Sequence, residues 1–174
     1  ILTHPTMDLM LRLVTEADVK PEEIATITIS AGTNILKPIR YPIAANHLQA
    51  KFSLPAEVSM IALARKAGKR EFSDDFVASD AMQAMQRRVR TEFDPAIEAM
   101  GFDKVRSRIT ITRHDGTEVS GWADERYRGG PDNPMTNAEV EAKLRSCCEG
   151  VLDTAAQDRL IAAVWNVMQA ADAT

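Results

Sequence analysis

Apolar positions along the chain recur first with a helical spacing. Met7, Leu11 and Val14 follow Pro5, a residue suited to a first helical turn, and the spacing predicts a helix over residues 5–16. Pro21 interrupts the pattern. Residues 24–31 then alternate, with Ile27, Ile29 and Ala31 on one face and Thr26, Thr28 and Ser30 on the other, a strand that Gly32 ends. Residues 33–46 have no period. With Pro38 and Pro42 around Arg40-Tyr41, they read as a long irregular loop, a feature more often functional than idle. Helical spacing returns at 53–67, where Pro55 fits the first turn, Val58, Ile61, Ala62 and Arg65 follow it, and Gly68 is the expected stop.

Ser73-Asp74-Asp75-Phe76 reads as a turn or helix start, and Ser79 or Asp80 as the cap of a helix carrying Met82, Met85 and Val89. From about Arg88 the pattern turns strand-like through Val89, Thr91 and Phe93, until Asp94-Pro95 stops it. Residues 105–113 and 117–124 alternate on either side of Asp115-Gly116. This predicts a hairpin whose two turn residues both take positive φ. After the loop 128–135, Thr136-Asn137-Ala138-Glu139 has the form of a capping box opening a helix with Val140, Leu144, Cys147 and Val151. Asp153 caps a last helix with the apolar stripe Leu160, Ile161, Val164, Trp165 and Met168. Strands and helices do not alternate regularly. The expected fold is a single α+β domain over 1–174, with helices packed on a mainly antiparallel sheet.

Composition narrows the function classes. Hydrophobic residues are 45% and charged residues 26%, enough apolar material for a packed core. A net charge of −4 argues against a broadly basic nucleic-acid surface. No apolar run approaches a membrane span and no signal-peptide pattern opens the chain, so the expected location is the cytoplasm. The two cysteines, Cys147 and Cys148, are adjacent and read as small hydrophobes on a helix. His4, His47 and His114 form no metal-binding spacing, and no metal is expected. Gly129-Gly130-Pro131 lacks the spacing of a phosphate loop. The chain begins Ile1-Leu2-Thr3-His4-Pro5 without Met, as a piece cut from a longer protein would.

Candidate chemistry falls in residues 1–53. Between Gly32 and Lys51 there is no acidic residue, but Lys37, Arg40, His47 and Lys51 are present. Such a cationic segment in an acidic protein suits a carboxylate or phosphate, and amides near Ser53 and Leu54 at a helix start would add to it. The alternative is a solvated loop in which Ser53 only caps a helix and His4 only packs.

Several segments together resemble the MmgE/PrpD family. His4-Pro5-Thr6-Met7-Asp8 is similar to its His-Pro-x-x-Asp-Ala segment, with Leu9 in place of Ala. Ala50-Lys51-Phe52-Ser53-Leu54-Pro55 resembles its Ala-Lys/Gln-Phe-Ser-Leu-Pro segment. The hairpin around Asp115-Gly116 sits where that family has a similar pair of strands, and Gly130-Pro131 through Lys143-Leu144 resembles its Gly-x-Pro-x-x-Pro-Leu-Ser segment with the helix that follows. The resemblance implies the smaller α+β domain of a dimeric lyase or isomerase. Such an enzyme works on a di- or tricarboxylate without metal or organic cofactor, as 2-methylcitrate dehydratases do. It further implies a large helical domain outside this chain, a site between the two domains, and no activity in the isolated piece. By the same resemblance His4 and His47 are the candidate acid–base residues, and Lys51, Ser53 and Arg40 the candidate substrate-binding residues. Ala56 stands where some members have Tyr, which turns the expectation away from cis-aconitate decarboxylation. The competing reading is a stand-alone α+β binding or oligomerisation module without chemistry.

Overall fold

Prolines open the two longest helices of the sheet-bearing part of the chain. Pro5 lies in the first turn of α1 (His4–Glu16) and Pro55 in that of α4 (Leu54–Ala64), where the missing N–H breaks no helical hydrogen bond. In a computed structural model that describes residues 1–169, β1 (Ile24–Ala31) follows α1, and the segment after it carries two short helical turns, α2 (Thr33–Leu36) and α3 (His47–Ala50). After α4 come α5 (Asp74–Ala78), α6 (Asp80–Gln86), β2 (Val89–Phe93), α7 (Pro95–Glu98), and the hairpin β3 (Ser107–Arg113) and β4 (Glu118–Ala123). Two further helices follow, α8 (Asn137–Cys148) and α9 (Thr154–Trp165). Two compact units result, residues 1–134 and 135–174.

The first unit is an α+β layer. Its four strands run in the order β2-β1-β3-β4. β1–β3 and β3–β4 are antiparallel, whereas β1–β2 is parallel, with Ile27 opposite both Val89 and Ile111. Ile27, Ile29 and Ala31 of β1, with Ile109 and Ile111 of β3, face inward, as alternation predicts. Leu9, Met10, Leu13 and Val14 of α1, with Leu54, Val58 and Ile61 of α4, join them in one core. Each such side chain fully withdrawn from water contributes about 1.5–3 kcal/mol. Thr6 and Ser107 share a buried hydroxyl–hydroxyl hydrogen bond of 2.8 Å that ties α1 to β3. A second cluster of Ala44, Ala50, Ala56, Met60, Val77 and Met82 packs beside the first.

Several boundaries differ from the sequence expectation. α4 stops at Ala64, before Gly68, because Arg65 takes a left-handed conformation (φ 50°). Its guanidinium bonds the carbonyls of Val14 and Val19 and the carboxylate of Asp18, anchoring it to the end of α1. Val89 belongs to β2 and not to the preceding helix, which Ser79 caps. In the hairpin only Gly116 has positive φ (85°). Arg113 and Thr117 close a three-residue loop, so the turn is the longer kind that needs one left-handed residue and not two.

Gly121 in β4 faces α1 at close range. A Cβ there would lie 2.8 Å from Leu9 Cδ1 and 3.3 Å from Leu13 Cδ2. Gly121→Val is therefore expected to destabilise by about 1–3 kcal/mol through overpacking. A denaturation midpoint equal to that of the unchanged protein would refute this.

The second unit is a helical hairpin. The predicted capping box is present, with Thr136 N–H donating to Glu139 Oε2 at 2.8 Å and Glu139 N–H to Thr136 Oγ1 at 3.3 Å. Arg145 pairs with Asp158 at 2.7 Å, and Trp165 Nε1 donates to Glu141 at 2.7 Å. Of the expected stripe only Ile161 is buried; Leu160, Val164 and Trp165 are exposed, and the Met168 side chain lies outside the described residues. Val140 and Val151 are exposed too, because a pair of helices covers only the faces that meet. Among the described residues no helix is long and apolar enough to cross a membrane.

Candidate functional site

The segment that follows β1 owes its shape to a buried amide. Gln86, at the end of α6 and fully buried, accepts a hydrogen bond from Ala44 N–H at 2.7 Å and donates to Ala44 C=O at 3.3 Å. Tyr41 N–H donates to Phe52 C=O at 3.1 Å, bringing the middle of the segment against its end. Lys37, Pro38, Arg40, Tyr41, Leu48 and Phe52 then wall a cleft of about 280 Å³. That is near the lower bound for small-molecule pockets, the size of a short acid and not of a dinucleotide.

Arg40, in the cleft wall, and Lys51, next in sequence to Phe52, lack anionic partners among the described residues. The Arg40 guanidinium stands 5.6 Å from the centroid of the Tyr41 ring. Lys51 is exposed at the end of α3; its backbone N–H donates to Gln49 C=O, but among the described residues its side chain makes no hydrogen bond or ion pair, and Arg40 makes no ion pair. His47 opens α3 and is held by Asp74. The Asp74 carboxylate accepts the His47 backbone N–H at 2.7 Å and lies 2.8 Å from its Nδ1. These two bonds, the backbone one first, hold the Asp74 carboxyl below its usual range. An ionised Asp74 favours a proton on Nδ1, which in a neutral imidazole leaves Nε2 as the acceptor.

Ser53 is fully buried and caps α4, accepting Ala56 N–H at 3.1 Å. The helix-start amides do not serve an anion as the sequence suggested. Ser53 N–H is bonded to Ala50 C=O at 3.2 Å, and Leu54 is fully buried. What remains at this end is the α4 dipole, which favours negative charge without direct donation.

His4 lies apart from the cleft. It begins α1, is exposed, and meets the Tyr127 ring edge-on at 5.6 Å and 71°. Tyr127 lines a larger groove of about 670 Å³ between α1 and the end of β4. Size favours that groove as a site, but its cations are engaged: Arg126 with Asp124 at 2.7 Å and Arg12 with Glu16 at 3.8 Å. Cations already neutralised have less to offer an acid, so charge favours the smaller cleft. The residue before His4 connects the two regions, because the Thr3 hydroxyl donates to Glu57 in the first turn of α4 at 3.1 Å. The sequence reading passed over Glu57 and Asp74.

A family model described as the MmgE/PrpD C-terminal domain matches residues 1–169. The chain belongs to that family. Among curated proteins no match was found. The MmgE/PrpD assignment spans both compact units, so the helical hairpin is part of the family's C-terminal domain and not an addition to it. In this MmgE/PrpD domain the His-Pro segment forms the start of α1, and the Lys-Phe-Ser segment the link from α3 to α4.

Proposed function

We propose that this domain contributes part of the site of a cofactor-free lyase or isomerase acting on a di- or tricarboxylate, with 2-methylcitrate-like dehydration as the reaction. The observation that supports this is a small cleft with Arg40 in its wall and with Lys51 and His47 next in sequence to the wall residues Phe52 and Leu48; the two cations have no anionic partner among the described residues, and Asp74 orients the imidazole. Arg40 and Lys51 bind substrate carboxylates and stabilise the charge that develops when the carbon beside one of them loses its proton. One imidazole takes that proton, and a second acid delivers a proton to the leaving hydroxyl, which departs as water. His47 and His4 are the candidates for these roles. The helical domain implied by the family completes the site, and the assembly is a homodimer in the cytoplasm.

Lys51→Ala is expected to weaken a tricarboxylate such as tricarballylate, and kcat/KM in the protein joined to its helical domain, by about ten- to a hundredfold. One charge-assisted hydrogen bond contributes ~1.5–3 kcal/mol. Lys37→Ala is the control, since Lys37 already acts on Glu98. Equal small losses from both variants, with thermal stability unchanged, would reject the cleft as the carboxylate site.

A further inference from the structure

Glu57 is a carboxyl group without an evident structural reason to be where it is. It is 3% exposed, on a helix buried from Leu54 through Ala62. One oxygen accepts the Thr3 hydroxyl at 3.1 Å, and the other has no partner. Burial pushes its pKa up to about 8, against a weaker opposing pull from the Thr3 bond. At neutral pH it is a neutral acid, as a group without an adjacent counter-charge in an apolar setting must be.

Its one partner is the N-cap of α1. A threonine there ordinarily turns its hydroxyl onto a first-turn amide. Thr3 does not: its backbone is near-helical (φ −100°, ψ −16°), and its side chain makes no cap bond. The hydroxyl is directed across to α4 instead, and the next residue is His4, edge-on to Tyr127.

We propose that Glu57 is a positioning residue for His4: by holding the Thr3 hydroxyl, it fixes how α1 begins and thereby sets the imidazole against Tyr127. The proposal rests on the reading of His4 as an acid–base group of the site. It also explains why a neutral acid suits this place. The neutral form still accepts the Thr3 bond, without an uncompensated charge on the buried helix.

The test is the set of NMR cross-peaks between the His4 and Tyr127 rings, recorded at neutral pH on this chain. Thr3→Val and Glu57→Leu are expected to lose them, and Glu57→Gln, which keeps a carbonyl acceptor for Thr3, to retain them. Rescue by Gln separates positioning from a general need for packing. If Glu57→Leu does not fold, Thr3→Val, which leaves Glu57 in place, decides alone. Unchanged cross-peaks in Thr3→Val, or their loss in folded Glu57→Gln, would overturn the proposal. The spectra need no substrate. A failure of Lys51→Ala to weaken carboxylate binding therefore bears on the proposed function, and unchanged spectra bear on Glu57.

Discussion

Between pH 4.5 and about 8 the domain is expected to lose on the order of 4 kcal/mol of stability through Glu57 alone. Below that window the carboxyl is protonated in both the folded and the unfolded chain, and its burial carries no pH-dependent cost. As pH rises through 4.5 the unfolded chain releases the proton while the folded chain keeps it, so the unfolded state gains. The loss levels off once the folded carboxyl ionises, at about 8. Glu125 works in the opposite sense. Arg106 holds it down to about 2, so its contribution is present above the ordinary carboxylate range and disappears in acid. Glu57→Gln should match the unchanged protein in acid and exceed it increasingly toward alkaline pH. Denaturant titrations of both proteins across this range make the comparison, and parallel stability curves would show that Glu57 is ionised when folded.

Gln86→Met, which keeps the volume and removes the amide, is expected to cost about 2–3 kcal/mol. The cost falls on the Ala44 N–H, which is buried and has Gln86 Oε1 as its partner. The Ala44 carbonyl is better protected, because Gln83 Nε2 also donates to it at 2.9 Å. Freed from Gln86, the segment carrying Arg40 and His47 should open more often, so that the Ala44 amide exchanges its hydrogen faster and carboxylate binding weakens. An exchange rate equal to that of the unchanged protein would show that the segment holds itself.

Elements governed by local chemistry were legible from the residues. The alternation of β1 and β3, the start of α1 at Pro5 and the Thr136–Glu139 cap each depend on neighbours within a few positions. β2 was legible as a strand through Val89, Thr91 and Phe93, but its parallel pairing with β1 leaves no mark on a short strand in which only Val89 is buried. The end of α4 escaped because Arg65 stops there to reach the far end of α1, an interaction that no window on the sequence contains. Arg40 and Lys51 showed as charges in a stretch without acids, but the pairing of His47 with Asp74 depends on how the chain returns. Glu57 reads as an ordinary first-turn acid, which helix starts favour. Its signal was subtler: it is the sole charged residue between Lys51 and Arg65, in a helix otherwise apolar but for Ser59.

The parallel pairing of β1 with β2 turns residues 32–88 into a closed excursion, pinned at both ends to adjacent strands. Arg40, His47, Lys51, Ser53 and Glu57 all lie within it. Lengthening a flexible stretch of such an excursion is thermodynamically mild, about 0.6 kcal/mol for each doubling. Insertions and deletions between β1 and α3 can thus resize the cleft while the register of the four strands stays as it is. The sheet serves as a fixed frame, and the stretch that walls the cleft is the part whose length can change without disturbing it.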